Sequence, residues 1–324
     1  MASFLKSKPA IFLSAIGAGV GGIVLFKEYL GGCRFDKETR LDGKTVIITG
    51  ANTGLGKAAA KEFASRGANV IMACRDLTKC RRVRREILTA VENKHVVCEE
   101  LDLASLESIR DFAARISESV KQVDILVNNA GVMRCPKLLT KDGFEMQLGV
   151  NHLGHFYLTS LLLDKIKAAA PSRVVNVSSV AHKRGKINYD DFNSDQDYNP
   201  ADAYNQSKLA NVLFTTELAQ RLKGTGVSVF AVHPGIVNTE ITRHMGIANS
   251  WVAAMFAKPL MWLFAKSPRQ GVQGILYCAL ADGIEEHSGK YFCNCKVAAS
   301  NPIVEDNKAG AWLWATSEKW TNLS

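Results

Sequence analysis

A glycine-rich turn between an apolar strand and a helix constrains the fold of this chain more than any other feature. Residues 44–49 have the continuous apolar pattern of a buried strand, residues 50–56 read Gly-Ala-Asn-Thr-Gly-Leu-Gly, and residues 57–66 have helical periodicity. This order places backbone N–H groups and a helix N-terminus where a pyrophosphate can bind. The spacing Gly-x-x-x-Gly-x-Gly departs from the usual dinucleotide-binding fingerprint, so a tight turn with a structural role is the alternative.

Strand and helix patterns alternate along the rest of the chain. The other strand patterns cover residues 69–74, 95–101, 124–128, 173–179, 228–233 and 290–292. Alternation with continuous apolar strands predicts a parallel sheet covered by helices on both faces. We find no internal repeat and no second domain boundary. The expected fold is therefore α/β, a single doubly wound parallel sheet of the Rossmann type with about seven strands, over residues 43–324.

Several predicted strands end in polar or charged residues, at the edge where open α/β sheets bind ligands. Arg75 ends the second strand, where a basic residue would meet the 2′-phosphate of NADP and an acidic residue would bind the ribose hydroxyls of NAD. A surface arginine paired with Asp76 is the alternative interpretation. Later strands end at Asp102, at Asn128-Asn129-Ala130-Gly131, at Ser178-Ser179 and at Pro234-Gly235.

Tyr204 and Lys208 stand four residues apart in a segment with helical periodicity, residues 201–223. At this spacing both side chains leave one face of a helix, so the lysine charge can act on the tyrosine hydroxyl. A nearby cation lowers a tyrosine pKa from about 10, as a general acid or base near neutral pH requires. Of the seven tyrosines, only Tyr204 has lysine four positions on. The pair alone is also compatible with an exposed helix turn.

Histidine and cysteine patterns do not predict a metal site. His152 and His155 are three residues apart in a helical stretch without an acidic or thiol partner at ligand spacing, so helix-surface or packing histidines are expected. The eight cysteines show no paired spacing of the zinc or redox type. We expect reduced, mostly buried thiols.

An uncharged apolar stretch of 17 residues covers residues 10–26, with lysines on both sides. As a helix it would be about 25 Å long, marginal for a hydrocarbon core of about 30 Å. A secretory signal is disfavoured, because Lys27 and Glu28 follow directly and no small-residue cleavage site is evident. We expect residues 1–42 to form a membrane anchor and linker.

The net charge of +9 does not predict binding to nucleic acid. Positive residues are scattered except at residues 79–85 and 183–186, and no aromatic-studded basic module accompanies these runs. A solvated or membrane-facing surface is the simpler interpretation.

Residues 251–264 are rich in Trp, Phe, Met and Leu and lie between polar stretches. A core helix is one interpretation, and a mobile substrate lid or membrane-contacting helix is the other. We place the lid region at about residues 240–268.

Six motifs in this order and spacing resemble the short-chain dehydrogenase/reductase family over about residues 43–292. They are Thr49-Gly50-x-x-x-Gly54-x-Gly56, Asn128-Asn129-Ala130-Gly131, Asn151, Ser179, Tyr204-x-x-x-Lys208 and Pro234-Gly235. Residues 129–133, 142–156 and 170–173 further resemble the membrane-bound retinol dehydrogenases, especially the mitochondrial inner-membrane branch. Closely related branches reside in the endoplasmic reticulum.

The resemblance implies catalytic roles for four residues. Tyr204 would be the general acid or base, and Lys208 would lower its pKa while bonding the nicotinamide ribose. Ser179 would hold the substrate oxygen, because the family places the catalytic serine second in the Ser178-Ser179 pair. Asn151 would support a water-linked proton path to Lys208.

The resemblance also implies NADP(H) as the cofactor, with Asp76 beside Arg75 leaving the strength of the preference for NADP open. The implied cofactor-binding residues are Gly50, Asn52, Thr53, Gly54, Leu55, Gly56, Arg75, Asp102, Leu103, Asn129, Ala130, Gly131, Tyr204, Lys208, Pro234, Gly235, Val237 and Thr239.

The implied function is an NADP-dependent oxidoreductase that interconverts retinol and retinaldehyde, or similar apolar alcohols and aldehydes, mainly as a reductase. The implied partners are a retinoid-like substrate and a membrane, either the mitochondrial inner membrane or the endoplasmic reticulum, and the resemblance leaves room for a homodimer. A reductase of steroid or lipid-derived carbonyls is one alternative. A non-catalytic, membrane-tethered NADP(H)-binding protein is another, against which the intact Ser/Tyr/Lys set argues.

Overall fold

A computed structural model describes residue 28, residues 31–237 and residues 265–323. These residues contain one sheet, whose strands in chain order are Thr45–Thr49 (β1), Asn69–Cys74 (β2), Val96–Glu100 (β3), Ile125–Asn128 (β4), Ser172–Val177 (β5), Val227–His233 (β6), Tyr291–Cys293 (β7) and Lys296–Val297 (β8). The spatial order is β3-β2-β1-β4-β5-β6-β7-β8. Strands β1 to β7 pair in parallel and β8 pairs with β7 antiparallel.

Helices connect the strands and cover the sheet. The α-helices in the described residues are Gly54–Ser65 (α1), Leu77–Ala90 (α2), Leu106–Ser119 (α3), Met146–Leu148 (α4), Gly154–Leu161 (α5), Leu163–Ala168 (α6), Pro200–Arg221 (α7), Pro268–Gly271 (α8), Gln273–Leu280 (α9) and Asn307–Thr321 (α10). A π-helix, Gly149–Leu153, joins α4 to α5, and 3-10 helices cover Val180–Arg184, Glu285–His287 and Pro302–Glu305.

The predicted doubly wound α/β fold is confirmed. Along β1, Val46 and Ile48 pack in one hydrophobic cluster while Ile47 packs in another, so both faces of the sheet are buried. Burial on both faces explains why the strands have continuous apolar runs instead of alternating patterns. The short antiparallel β8 is the eighth strand, beyond the seven expected.

Helix α7 is the longest described helix and carries Tyr204 and Lys208. It begins sharply because the Asn199 side chain accepts hydrogen bonds from two first-turn amides and Pro200 occupies the first turn. Its Tyr204 and Lys208 side chains are only 7% and 2% exposed. The alternative of an exposed helix turn is therefore wrong.

The segment that precedes β1 packs against the C-terminal part of the domain. The Phe35 amide donates to Gln273 Oε1 at 2.8 Å, and the Phe35 ring contacts Tyr277 edge to face. Further on, the Leu41 amide donates to the Arg66 carbonyl at 2.8 Å. Residues 31–41 thus contact α9 and the loop after α1.

Four of the eight cysteines form disulfides, so the expectation of reduced thiols throughout is wrong. Cys33 pairs with Cys295, and Cys80 pairs with Cys98. The first pair is 262 residues apart in sequence. Local spacing could not reveal it, since the β7–β8 turn and the segment before β1 meet only in the folded chain.

Several predicted features lie outside the described residues. They are the apolar stretch at residues 10–26, Thr239, and the aromatic-rich stretch at residues 251–264. Within residues 31–237 and 265–323, no helix has the length and apolar character needed to cross a membrane. Val237 and Lys266 pair in a parallel β-bridge.

Candidate active site

The carboxyl ends of the parallel strands open into one cleft with a volume of about 470 Å³. It collects most of the residues predicted from the sequence, although they come from distant parts of the chain. These are Gly50, Asn52, Thr53, Gly54, Leu55, Gly56, Arg75, Asp102, Leu103, Asn129, Ala130, Gly131, Ser179, Tyr204, Lys208, Pro234, Gly235 and Val237. Asn151 lies beneath the cleft rather than in its wall.

The turn after β1 requires glycine because its backbone is tightly folded on itself. Gly50 and Gly54 have φ of +65° and +50°, and a Cβ built on Gly56 would lie 2.4 Å from the Gly50 carbonyl oxygen. Thr53, the N-cap of α1, makes no side-chain capping hydrogen bond. The N-terminal amides of α1 are therefore not capped by that side chain, and an anion such as a pyrophosphate fits there.

At the end of β2, Arg75 is exposed and forms no salt bridge within the described part of the chain. The alternative of an Arg75–Asp76 pair is therefore not observed. Asp76 instead caps α2, where its carboxylate accepts the Lys79 amide at 2.8 Å. Lys79 also lines the cleft. Sequence reasoning missed this second cation, although it lies one helix turn beyond Arg75.

Tyr204 and Ser179 both line the cleft. Burial raises the pKa of Tyr204, while the hydrogen bond from Ser179 and the charge of Arg134 oppose that shift. The pKa of Tyr204 is raised because burial outweighs the neighbouring protein groups that lower it. The expectation that a nearby cation makes this pKa low is therefore wrong. Arg134 was not predicted, and it takes a left-handed backbone conformation with φ of +50°.

Lys208 is buried beside Tyr204. Its Nζ lies 5.8 Å from the centre of the Tyr204 ring and donates to the Val177 carbonyl at 3.1 Å. Burial lowers the pKa of Lys208 to about 8. The ammonium thus sits close to the phenol and is held by a strand end, but it loses its proton more readily than a lysine in water.

The two neighbouring serines have different environments. Ser178 is buried, and its hydroxyl donates to the Lys208 carbonyl at 2.8 Å. Ser179 is half-buried and faces Tyr204. The geometry thus separates a structural serine from one that can meet a substrate oxygen, which agrees with the choice of Ser179.

Asn151 lies at the centre of the π-helix and is fully buried. Its amide accepts from the Val132 N–H and donates to the Val132 carbonyl and to Ser207 Oγ, each at 2.9 Å. A Cβ on Gly131 would meet both Asn151 Oδ1 and Lys208 Nζ within 3.6 Å. Asn151 and Lys208 therefore approach each other across Gly131, which agrees with a role for Asn151 behind the lysine.

Within the described residues, no three His, Cys, Asp or Glu side chains come together as a metal site. His152 and His155 are both buried. The expectation of packing histidines fits His152, which packs against Phe156 and Phe214. The environment of His155 is different, because its ring nitrogens bond to Thr49 Oγ1 and to the Asn151 carbonyl oxygen.

Comparison with known proteins gives a family match over the site-bearing part of the chain. Residues 44–249 match the model of the short chain dehydrogenase family. The chain is 52% identical to human retinol dehydrogenase 13 over 312 residues, which are 96% of this chain and 94% of that protein.

Solved structures share the fold. An uncharacterized protein of Mycobacterium paratuberculosis is 36% identical, with a TM-score of 0.72 over 90% of this chain and 98% of that chain. A Beutenbergia cavernae protein assigned as an NAD(P)-dependent gluconate 5-dehydrogenase, solved with bound NADP at low occupancy, is 27% identical. Its TM-score is 0.63 over 79% of this chain and 96% of that chain.

Proposed function

This chain belongs to the short-chain dehydrogenase family, as an oxidoreductase similar to the retinol dehydrogenases, and on that premise we propose that it reduces retinaldehyde and similar apolar aldehydes with NADPH. The observation that carries the proposal is the meeting of Tyr204, Ser179 and Lys208 in the cleft that also contains the glycine-rich turn. A proton donor and a cofactor cradle share one cavity, as carbonyl reduction requires.

The protein groups supply binding and proton transfer. When bound, the nicotinamide cofactor supplies the hydride. Ser179 holds the carbonyl oxygen, and Tyr204 donates a proton to that oxygen. Because burial raises the pKa of Tyr204, the hydroxyl keeps its proton at neutral pH and is suited to act as the acid in the reductive direction. Lys208 would bond the ribose of the cofactor and stabilise negative charge on Tyr204, and Asn151 would support the path that returns a proton.

The preference for NADP is supported by the cations at the end of β2. Arg75 is exposed, Arg75 and Lys79 both line the cleft, and the Asp76 carboxylate is engaged at the start of α2. Positive charge favours a 2′-phosphate, and an engaged carboxylate is less able to bind the ribose hydroxyls. The bound NADP in the Beutenbergia cavernae protein supports the same choice.

An apolar substrate is supported by six apolar side chains in the cleft lining. They are Val132, Met133, Met146, Val150, Val180 and Ile236. Ile236 is 72% exposed and Val180 is 50% exposed, so apolar surface is presented at the rim of the cleft. Burial of apolar area contributes about 25 cal/mol per Å², which favours a long hydrocarbon chain over a short one. The name of the human relative, a retinol dehydrogenase, points to a retinoid.

The anchor at residues 1–42, the domain at residues 43–324 and the lid at about residues 240–268 stay part of the proposal. A membrane anchor would bring the cleft close to lipid-dissolved aldehydes. Extraction of the full-length protein with alkaline carbonate tests the anchor, because a membrane-spanning segment stays in the pellet and a peripheral protein is released.

An assay of NADPH consumption with a panel of aldehydes and ketones tests the function. We expect kcat/KM for all-trans-retinal to exceed that for a three-carbon aldehyde by at least about 100-fold, since apolar burial stabilises only the long substrate. The Tyr204→Phe protein serves as the background control. Equal kcat/KM for both aldehydes would refute the retinoid assignment, and higher kcat/KM for steroid ketones would favour the alternative reductase. No turnover of any carbonyl would favour a binding protein.

A further inference from the structure

A buried chain of hydrogen bonds connects the cofactor turn, residues 49–56 at the end of β1, to the π-helix through His155. The backbone amides of Asn129 and Ala130 both donate to Thr49 Oγ1 at 2.9 Å. Thr49 Oγ1 lies 2.8 Å from His155 Nε2, and His155 Nδ1 lies 3.1 Å from the Asn151 carbonyl oxygen. All three side chains, of Thr49, His155 and Asn151, are buried.

The partners determine the direction of each bond. A threonine oxygen has two lone pairs, and the two amides occupy both. Its one hydrogen can reach His155 Nε2 at 2.8 Å or the Val127 carbonyl at 3.5 Å, so it donates to the imidazole, the closer partner. His155 Nε2 is then an acceptor, Nδ1 carries the proton, and Nδ1–H donates to the Asn151 carbonyl.

Only the neutral imidazole fits this arrangement. A second proton on Nε2 would face a threonine oxygen whose lone pairs are already used. Burial lowers the pKa of His155 to about 4, with the Lys208 charge acting in the same direction. The ring therefore keeps one donor and one acceptor throughout the neutral pH range, and its orientation is fixed by both.

We propose that His155 is a positioning residue for the reductase reaction, because its imidazole couples the cofactor turn at Thr49 to the backbone of Asn151. This inference rests on the proposed function, since it assumes that Asn151 and Lys208 serve proton transfer. His155 does not line the cleft. It acts by keeping Asn151 against Gly131 and Lys208 when the Asn129–Ala130 backbone accommodates a cofactor.

His152 is a matched control within the same stretch of chain. It is as buried as His155, and burial lowers its pKa to about 3. Its Nε2, however, bonds to Ser317 Oγ at 2.9 Å on α10, away from the cleft. If a buried histidine here served packing alone, replacement of either ring would have the same effect on catalysis.

The experiment compares His155→Leu with His152→Leu in the full-length protein, with kcat for NADPH-dependent reduction of retinal and the melting temperature as readouts. We expect both variants to melt at lower temperature. We expect His155→Leu to lower kcat by about 10- to 100-fold, since small misplacements of catalytic groups have effects of this size, and His152→Leu to change it by less than about 3-fold. His155→Gln, which keeps a donor and an acceptor, should recover part of kcat.

A double-mutant cycle with Thr49→Val tests the proposed coupling. The double variant His155→Leu/Thr49→Val should be no slower than the slower single variant, because both changes break one chain of bonds. Equal kcat losses in His155→Leu and His152→Leu, or fully additive losses in the cycle, would overturn the inference while the wild-type activity stands. A wild-type protein without reductase activity would overturn the proposed function itself, and this inference with it. If His155→Leu does not fold, kcat is compared between His155→Gln and wild type and between Thr49→Val and Thr49→Ser. Unchanged kcat in His155→Gln and equal kcat in the two Thr49 variants would overturn the inference.

Discussion

The two ends of the cleft are built differently. At the catalytic end, Tyr204 and Lys208 are buried and burial shifts both pKa values. At the nucleotide end, Arg75 is exposed and forms no salt bridge with the described residues. The proposed catalytic side chains are thus part of the protein core, whereas Arg75, the residue proposed to select the cofactor, lies at the surface. Substitutions at the first end should affect chemistry and stability together, and those at the second should affect only affinity.

The largest expected effect is at the catalytic end. Tyr204→Phe removes the transferable proton and keeps the ring, so we expect kcat to fall by about 10² to 10⁴ while the Kd for NADPH stays within a few-fold. Steady-state turnover and cofactor fluorescence titration measure the two quantities. A variant that keeps more than about a tenth of wild-type kcat would show that Tyr204 is not the proton donor.

The second effect sharpens the contrast at the nucleotide end. Arg75→Ala removes a charge-assisted hydrogen bond worth about 1.5 to 3 kcal/mol, so the Kd for NADPH should rise by roughly 10- to 150-fold. The Kd for NADH should change little, because NADH has no 2′-phosphate. The melting temperature should also change little, because Arg75 is exposed. Arg81→Ala removes an exposed charge on α2, outside the cleft, and is the control for net charge. Equal weakening of both cofactors would mean that Arg75 has a structural role.

The third effect concerns stability and tests whether Lys208 belongs to the core. Burial lowers the folded-state pKa of Lys208 to about 8 from 10.5, so between these values the unfolded chain binds more protons. Stability due to this group should therefore rise with pH across that window. Between pH 8 and pH 10, we expect wild type to gain about 1 to 2 kcal/mol of unfolding free energy relative to Lys208→Met. Denaturant unfolding at several pH values measures it. A constant difference would place Lys208 in a wetter environment than the structure shows.

The proximity of residues was predictable from the sequence where it depends on local spacing. Gly50, Gly54 and Gly56 share one turn, and Tyr204 and Lys208 share one helix face, so their proximity follows from backbone geometry. The strand-end residues were predictable because all parallel strands end at one edge of the sheet.

Features that depend on tertiary contacts were not predictable. His155 is separated from Thr49 by 106 positions, and nothing in the stretch around it shows that its ring would face the cofactor turn. The pKa of Tyr204 was predicted with the wrong sign, because spacing shows a neighbouring lysine but not the burial that outweighs it. A histidine pair inside a helix, without metal-ligand spacing, was the one available signal for a hydrogen-bonding role.

The π-helix at Gly149–Leu153 affects how this part of the chain can change in length. A π-turn inserts one residue relative to an α-helix, so the segments on its two sides are out of phase with each other. His152 and His155, three apart, would share one face of a regular helix. Here one contacts Ser317 and the other contacts Thr49. Deleting one residue from this turn would restore regular winding and remove the offset that separates the Ser317 and Thr49 contacts of the two histidines. We therefore expect this turn to tolerate substitution of its side chains better than insertion or deletion of a residue.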